Sequence, residues 1–312
     1  MLDFNIQKNQ DYSCRQTVIV EVAKYHGMNY EMIALGNWRF NYCNNTDIAI
    51  GEKLAQIYPM NYIENVERFH GLHLQRERIG NINVKDTILQ NLKLGRPIIV
   101  HGDTFYCPWY VGYKRIHYSH FFIVIGYKNG VYQCFDPTML DHFAEIQEHI
   151  LLENIDELII IEPISKPTYK TIEYLEELKK DIQHNIGETF FVNMCTFSKD
   201  VANNFDAKLE YEKFKTDIDT APLIDNIRDL FVFRIGYANM LHYLADIVSL
   251  KLNNYANDMY DCSKAWQTLR GRFIKLAFKK EIKQETLNDL SHTILSICEK
   301  EMCLARKILL FS

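Results

Sequence analysis

The sequence lacks paired cysteines at CxxC spacing, long apolar runs and an excess of basic charge, and each lack excludes a class of protein. The eight cysteines stand at 14, 43, 107, 134, 195, 262, 298 and 303. Scattered thiols suit a reducing compartment better than a disulfide framework. No stretch approaches the roughly 20 apolar residues of a membrane span. The opening MLDFNIQKNQD has neither the basic nor the apolar region of a secretory signal. A cytoplasmic protein with no membrane partner is the expectation. The net charge of -5 gives no general attraction for nucleic acid, so none is expected as a partner.

Helix breakers are scarce in the second half, where only Gly187, Pro222, Gly236 and Gly271 interrupt residues 168–312. The apolar residues there recur with a period near 3.6, as in TIEYLEELKKDI, in the run from Leu223 to Leu252 and in the run from Leu287 to Leu309. The first half mixes element types. Residues 14–26 read as a helix apolar on most sides, hence buried, and stopped by Gly27. Further helices are expected over 48–58 and over 84–94, the latter capped by Asn83 and ended by Gly95. Strands are expected at Pro97–Val100, Phe121–Tyr127, Val131–Phe135 and Glu157–Ile161. The chain therefore divides, on this reading, into a mixed α+β domain over 1–165 with an antiparallel sheet and an all-α domain over 166–312.

Cys14 follows the polar loop NQDYS and begins the buried helix. The positive end of a helix favours an anionic sulfur, although a small apolar residue at a helix start is the plainer account of one cysteine. Two residues of a hairpin change the balance: His120 opens one strand and Asp136 closes the next. A two-residue turn at Asn129-Gly130 pairs Lys128 with Val131 and sends the two side chains to opposite faces. A three-residue loop, Lys128-Asn129-Gly130, sets Phe122 opposite Asp136 and Thr138 opposite His120, making His120 and Asp136 diagonal neighbours. Gly130 suits the left-handed last position of that longer loop, which is the expectation. Cys14 is then the candidate nucleophile, His120 the base and Asp136 the group that orients the imidazole.

A helix-borne cysteine, a strand-borne histidine and an Asp or Asn on the following strand occur in the order of papain-like cysteine enzymes. The segments YSCRQTVIVEVAKYHG and DTFYCPWYVGYKRIHYSHFFIVIGYKNGVYQCFDP, with their spacing, resemble the amino-terminal domain of the butirosin biosynthesis acyltransferase family over roughly residues 10–160. They are more distantly similar to the bacteriocin-processing cysteine peptidases of peptide exporters. The resemblance implies a papain-like domain in which Cys14 takes an acyl group from the phosphopantetheine thioester of an acyl or peptidyl carrier protein. The group then passes to a small-molecule amine acceptor in antibiotic-like biosynthesis. The protein itself needs no cofactor on this reading, since the donor carries the phosphopantetheine. The stretch Asp103-x-x-Tyr106-x-Pro108-x-Tyr110 also resembles a family motif, which implies that Asp103, Tyr106 and Tyr110 line the acyl or acceptor pocket. Papain-like enzymes carry an oxyanion glutamine about six residues before the cysteine. That position is Lys8 here, and Gln10 with the Cys14 backbone N–H is the expected replacement. A peptidase or amidase on the same triad, and a binding module that keeps only the fold, are the competing readings.

Other histidines weigh less. His117-x-x-His120 and His70-x-x-His73 lack cysteine or carboxylate partners at zinc spacing, so no metal is expected. His117 is the alternative base. His101 reads as a core or rim residue, and Cys134 as packing beside the site. Residues 270–283 carry six basic residues against one Glu, either a solvated helix surface or a docking face for an acidic carrier protein.

Overall fold

The computed structural model describes residues 1–43, 48–54, 61–80, 83–164 and 169–311. In chain order it contains α1 (Cys14–Tyr25), α2 (Ile50–Lys53), α3 (Tyr62–His70), β1 (Leu72–Arg78), α4 (Val84–Lys93), β2 (Ile98–Asp103), β3 (Ser119–Lys128), β4 (Val131–Phe135), β5 (Ala144–Gln147), α5 (Glu148–Asn154) and β6 (Ile155–Pro163). Then follow α6 (Thr171–Asn185), α7 (Glu188–Asn203), α8 (Ala207–Tyr211), α9 (Pro222–Ile247), α10 (Leu252–Ala277) and α11 (Gln284–Leu309). Two compact units emerge: Met1–Ile33 with Tyr62–Thr168, and Ala34–Asn61 with Tyr169–Ser312. The sequence puts one cut between 165 and 166; contacts group 34–61 with the helical segment.

The first unit is built on a six-stranded sheet in the order β1-β6-β2-β3-β4-β5, antiparallel at every pairing. Helix α1 forms where the sequence places it. Ser13 caps it by accepting from the Gln16 N–H, and Gly27 ends it at φ +67°. Val18, Ile19, Val20 and Val22 are wholly buried, each contributing about 1.5–3 kcal/mol. The helix lies along β3, and Phe4 stacks on Tyr25 with ring centroids 5.2 Å apart. A second apolar cluster joins Ile98, Val100, Phe122, Val124, Tyr132 and Cys134 to Ile88 of α4. Asn83 caps α4, accepting from the Asp86 N–H at 3.3 Å. Strands β1 and β5, at the two edges of the sheet, have weak apolar patterns and are not anticipated by the sequence.

The β3–β4 hairpin departs from expectation at its turn. Lys128 pairs with Val131, so the loop has two residues, Asn129 and Gly130, both at positive φ. Such a turn matches the right-handed twist of the strands and outcompetes the longer loop. On its own it would send His120 and Asp136 to opposite faces. The ladder shifts between Val124 and Gly126, however, so that Ile123 pairs with Phe135. One extra residue, Ile125, is inserted in β3, and its carbonyl accepts from the Leu2 N–H at 2.8 Å. Beyond this bulge the pairing is the one expected of the longer loop, with Phe122 falling opposite Asp136. A Cβ on Gly126 would sit 2.5 Å from Gln133 Oε1 and 3.0 Å from the Met1 Cα. Gly126→Val is therefore expected to destabilise the chain by about 1–3 kcal/mol through overpacking, read from its urea midpoint; an unchanged midpoint would remove the bulge's claim to a tight steric fit.

The second unit is helical after residue 169. Helix α9 packs along α10, and α7 along α11. The run from Leu223 to Leu252 breaks at 248–251 into α9 and α10. Of the helix expected over 48–58, residues 50–53 form α2, and 55–58 lie outside the described residues. The α2 N–H groups of Ile50 and Gly51 donate to Glu210 at 2.5 and 3.0 Å. At the centre, Glu301 accepts from Trp38 Nε1 and Trp266 Nε1, each at 2.7 Å, and from Arg234 at 2.8 and 3.1 Å. Arg234 and Glu301 are both wholly buried. No helix among the described residues is long and apolar enough to cross a membrane.

Candidate active site

Cys14 is the first residue of α1 and remains partly exposed. The first N–H groups of a helix have no partner within it, so the sulfur stands beside backbone donors. Burial pushes the Cys107 thiol up to about 12 and the Cys134 thiol well above its ordinary value. Those two cysteines are packing residues of the apolar cluster.

His120 is 2% exposed and Asp136 1% exposed. His120 Nε2 is 2.8 Å from Asp136 Oδ2. With that nitrogen engaged, Nδ1 is the ring nitrogen left for Cys14, which lies close enough to raise the imidazole's pKa. The structure thus brings together the three residues that the sequence nominates. Asp136 Oδ2 also accepts from Trp109 Nε1 at 2.9 Å, and Oδ1 accepts from the Thr138 hydroxyl at 2.8 Å and the Thr138 N–H at 3.2 Å. A buried carboxylate must be saturated in this way to remain ionised.

Burial alone would lower the imidazole's pKa. The Asp136 charge and hydrogen bond, with that of Cys14, outweigh it and hold His120 up at about 10. Burial would likewise raise the Asp136 carboxyl, but the His120 charge and the bonds from His120, Trp109 and Thr138 hold it below the usual carboxylate range. At neutral pH the pair is an imidazolium beside a carboxylate.

Trp109 and Thr138 are the members of this cluster to which sequence reasoning assigned no role. Thr138 carries a detectable signal, since an acid followed two residues later by Thr forms a side-chain-closed turn. Trp109 carries none, because a long irregular loop brings its indole to Asp136. Gln10 is exposed and donates Nε2 to the Thr138 carbonyl at 3.2 Å. One amide hydrogen remains for another acceptor. Its loop is tied down by Asn9, whose backbone N–H donates to the Pro137 carbonyl at 2.7 Å and whose amide donates to buried Glu21 at 2.8 Å.

The remaining nominated residues are not members of this cluster. Asp103 Oδ1 accepts from the Phe105 and Tyr118 N–H groups at 2.9 and 3.1 Å, and Oδ2 pairs with His117 Nδ1 at 2.6 Å. It shapes the loop that follows β2. Tyr106 packs edge-on against Phe105, and Tyr110 packs on the apolar cluster beneath the sheet. His117 stacks on Phe105 at 4.2 Å and serves Asp103, leaving Asp136 to His120. His70 Nε2 accepts from the Met32 N–H at 3.0 Å, and His73 pairs with Glu67 at 3.1 Å. The described residues contain no group of three metal-ligating side chains.

An antiparallel sheet that sets a cysteine at a helix N-terminus, a buried histidine and a saturated carboxylate together defines the class: an α+β protein with a Cys-His-Asp constellation. Residues 13–137 match the family described as Butirosin biosynthesis protein H, N-terminal. No curated protein matches the chain.

Proposed function

We propose that the protein is a papain-like cysteine acyltransferase of antibiotic-like biosynthesis. It moves an acyl group from a carrier-protein thioester to an amine. The observation that carries this reading is the buried His120 ring, with a carboxylate 2.8 Å from one nitrogen and Cys14 near enough to raise its pKa. The family match supports the biosynthetic setting.

In the first half-reaction the Cys14 thiolate adds to the thioester carbonyl, and the carbon–sulfur bond to the donor breaks. The departing thiolate takes the proton from His120. In the second half-reaction an amine adds to the acyl-enzyme and gives its proton to His120, and the Cys14 thiolate leaves. The developing oxyanion is met by the Cys14 backbone N–H and the Gln10 amide. Asp136 keeps the imidazolium oriented throughout. The four exposed lysines Lys275, Lys279, Lys280 and Lys283 are the charge to which an acidic carrier would dock. Arg270 and Arg272 are already paired with Asp219 and Asp289.

Incubation with a short acyl N-acetylcysteamine thioester is expected to add one acyl mass to the wild type and none to Cys14→Ala. Added amine should yield an amide, with little free acid. An adduct that survives in Cys14→Ala would overturn the nucleophile, and acid as the sole product would shift the reading to a hydrolase.

A further inference from the structure

A second histidine–carboxylate pair lies on the same sheet. His101, on β2, sets Nδ1 against Asp156 Oδ1 and Nε2 2.6 Å from Ser119 Oγ. A carboxylate only accepts, so Nδ1 carries the hydrogen, Nε2 of the neutral ring offers its lone pair, and the Ser119 hydroxyl donates. This is the order of groups that activates a serine.

The fold holds each member by a separate device. Ser119 precedes His120 on β3 and, by strand alternation, its side chain leaves from the other side. The ring of His101 rests on Phe121 with centroids 4.4 Å apart. The β2–β6 ladder shifts between His101 and Gly102: His101 pairs with Glu157, and Gly102 with Ile155. Asp156 is the extra residue of that bulge, and bulges re-aim side chains in this way. A Cβ on Gly102 would come within 2.9 Å of the Asn154 carbonyl, so glycine permits the close approach of the chain entering β6.

Ser119, His101 and Asp156 line a cavity of about 450 Å³, whereas Cys14, His120 and Asp136 do not line it. Asp103 and Glu153 join Asp156 in its wall, and no lysine or arginine does. A positively charged or neutral ligand is favoured there over an anion.

We propose that Ser119 is a second nucleophile of this protein, acting on esters or thioesters whose acyl group bears an ammonium, such as those of amino acids. Ser119 Oγ bonds to the acyl carbon as His101 Nε2 takes the hydroxyl proton. The bond to the leaving oxygen or sulfur breaks, and the leaving group takes that proton from His101. Water then adds to the acyl-serine, delivers a proton to His101, and Ser119 leaves as that proton returns to Oγ. The inference does not depend on the reading of Cys14.

The test treats the full chain carrying Cys14→Ala with a fluorophosphonate, whose phosphorus–fluorine bond is broken by an activated serine. One adduct on the Ser119 peptide is expected, absent in Ser119→Ala and formed about 10²-fold more slowly in His101→Gln. In the same background Ser119→Cys should be alkylated by iodoacetamide about tenfold faster than the same cysteine with His101→Gln added. The proposal is overturned if the Ser119 peptide is unlabelled, or if His101→Gln leaves both rates unchanged. Faster hydrolysis of an N-acetylated amino-acid ester than of the free-amine ester would overturn the substrate class.

Discussion

Replacing His120 with alanine is expected to slow Cys14 acylation by about 10²- to 10⁴-fold, whereas His117→Ala should leave the rate within a factor of a few. The difference follows from placement. His120 is buried between Cys14 and Asp136, and His117 is exposed and spends Nδ1 on Asp103. Asp136→Asn should lose less than His120→Ala, because an amide oxygen still accepts from the ring but brings no counter-charge to the imidazolium. Stopped-flow release of thiol from the donor reads all three variants, and an unimpaired His120→Ala would remove the imidazole from the mechanism.

The same pair gives a pH signature. His120 is raised from 6.5 to about 10, so its contribution to stability is fully present below pH 6.5 and is lost as pH rises through about 10. Asp136 is lowered. Its contribution is present above the ordinary carboxylate pKa and is lost as pH falls through its depressed value. Between pH 7 and 10 the wild type should therefore lose more stability than His120→Ala does. Parallel urea midpoints across that window would show that the imidazolium–carboxylate pair is not the folded-state form.

The largest stability effect is expected in the helical unit. Glu301→Gln leaves the Arg234 guanidinium buried without its counter-charge and weakens the acceptor shared by Trp38 and Trp266. Breaking a buried pair from one side costs about 3–5 kcal/mol, against the roughly 5–15 kcal/mol that holds a domain folded. Arg234→Met with Glu301→Leu should cost less than the two single changes added together, because neither charge is stranded. The urea midpoints of the three variants measure this. Additive losses would mean that the two charges do not act as a unit.

Much of the site is legible in the residues. Cys14 at the head of a largely buried helix, capped by Ser13 and stopped by Gly27, follows from local chemistry. So do the strands around His120 and Asp136. The error in the hairpin is instructive: the shorter turn matches strand twist, and the alignment of His120 with Asp136 is restored by the extra residue at Ile125. Bulges leave little trace in side-chain pattern, because they are set by what passes alongside, here the chain at Met1 and Leu2.

By itself, the order of residues determined α1, α4, the helical character after residue 169, the main strands and the candidate nucleophile, base and orienting acid, since these depend on periodicity, caps and spacing over short stretches. Tertiary structure alone decided that Trp109 and Thr138 saturate Asp136, that Asp103 serves a loop, that 34–61 groups with the helical segment, and that Ser119, His101 and Asp156 meet. Each of these is a contact between distant parts of the chain, and no local pattern encodes which distant groups will close a buried hydrogen-bond network.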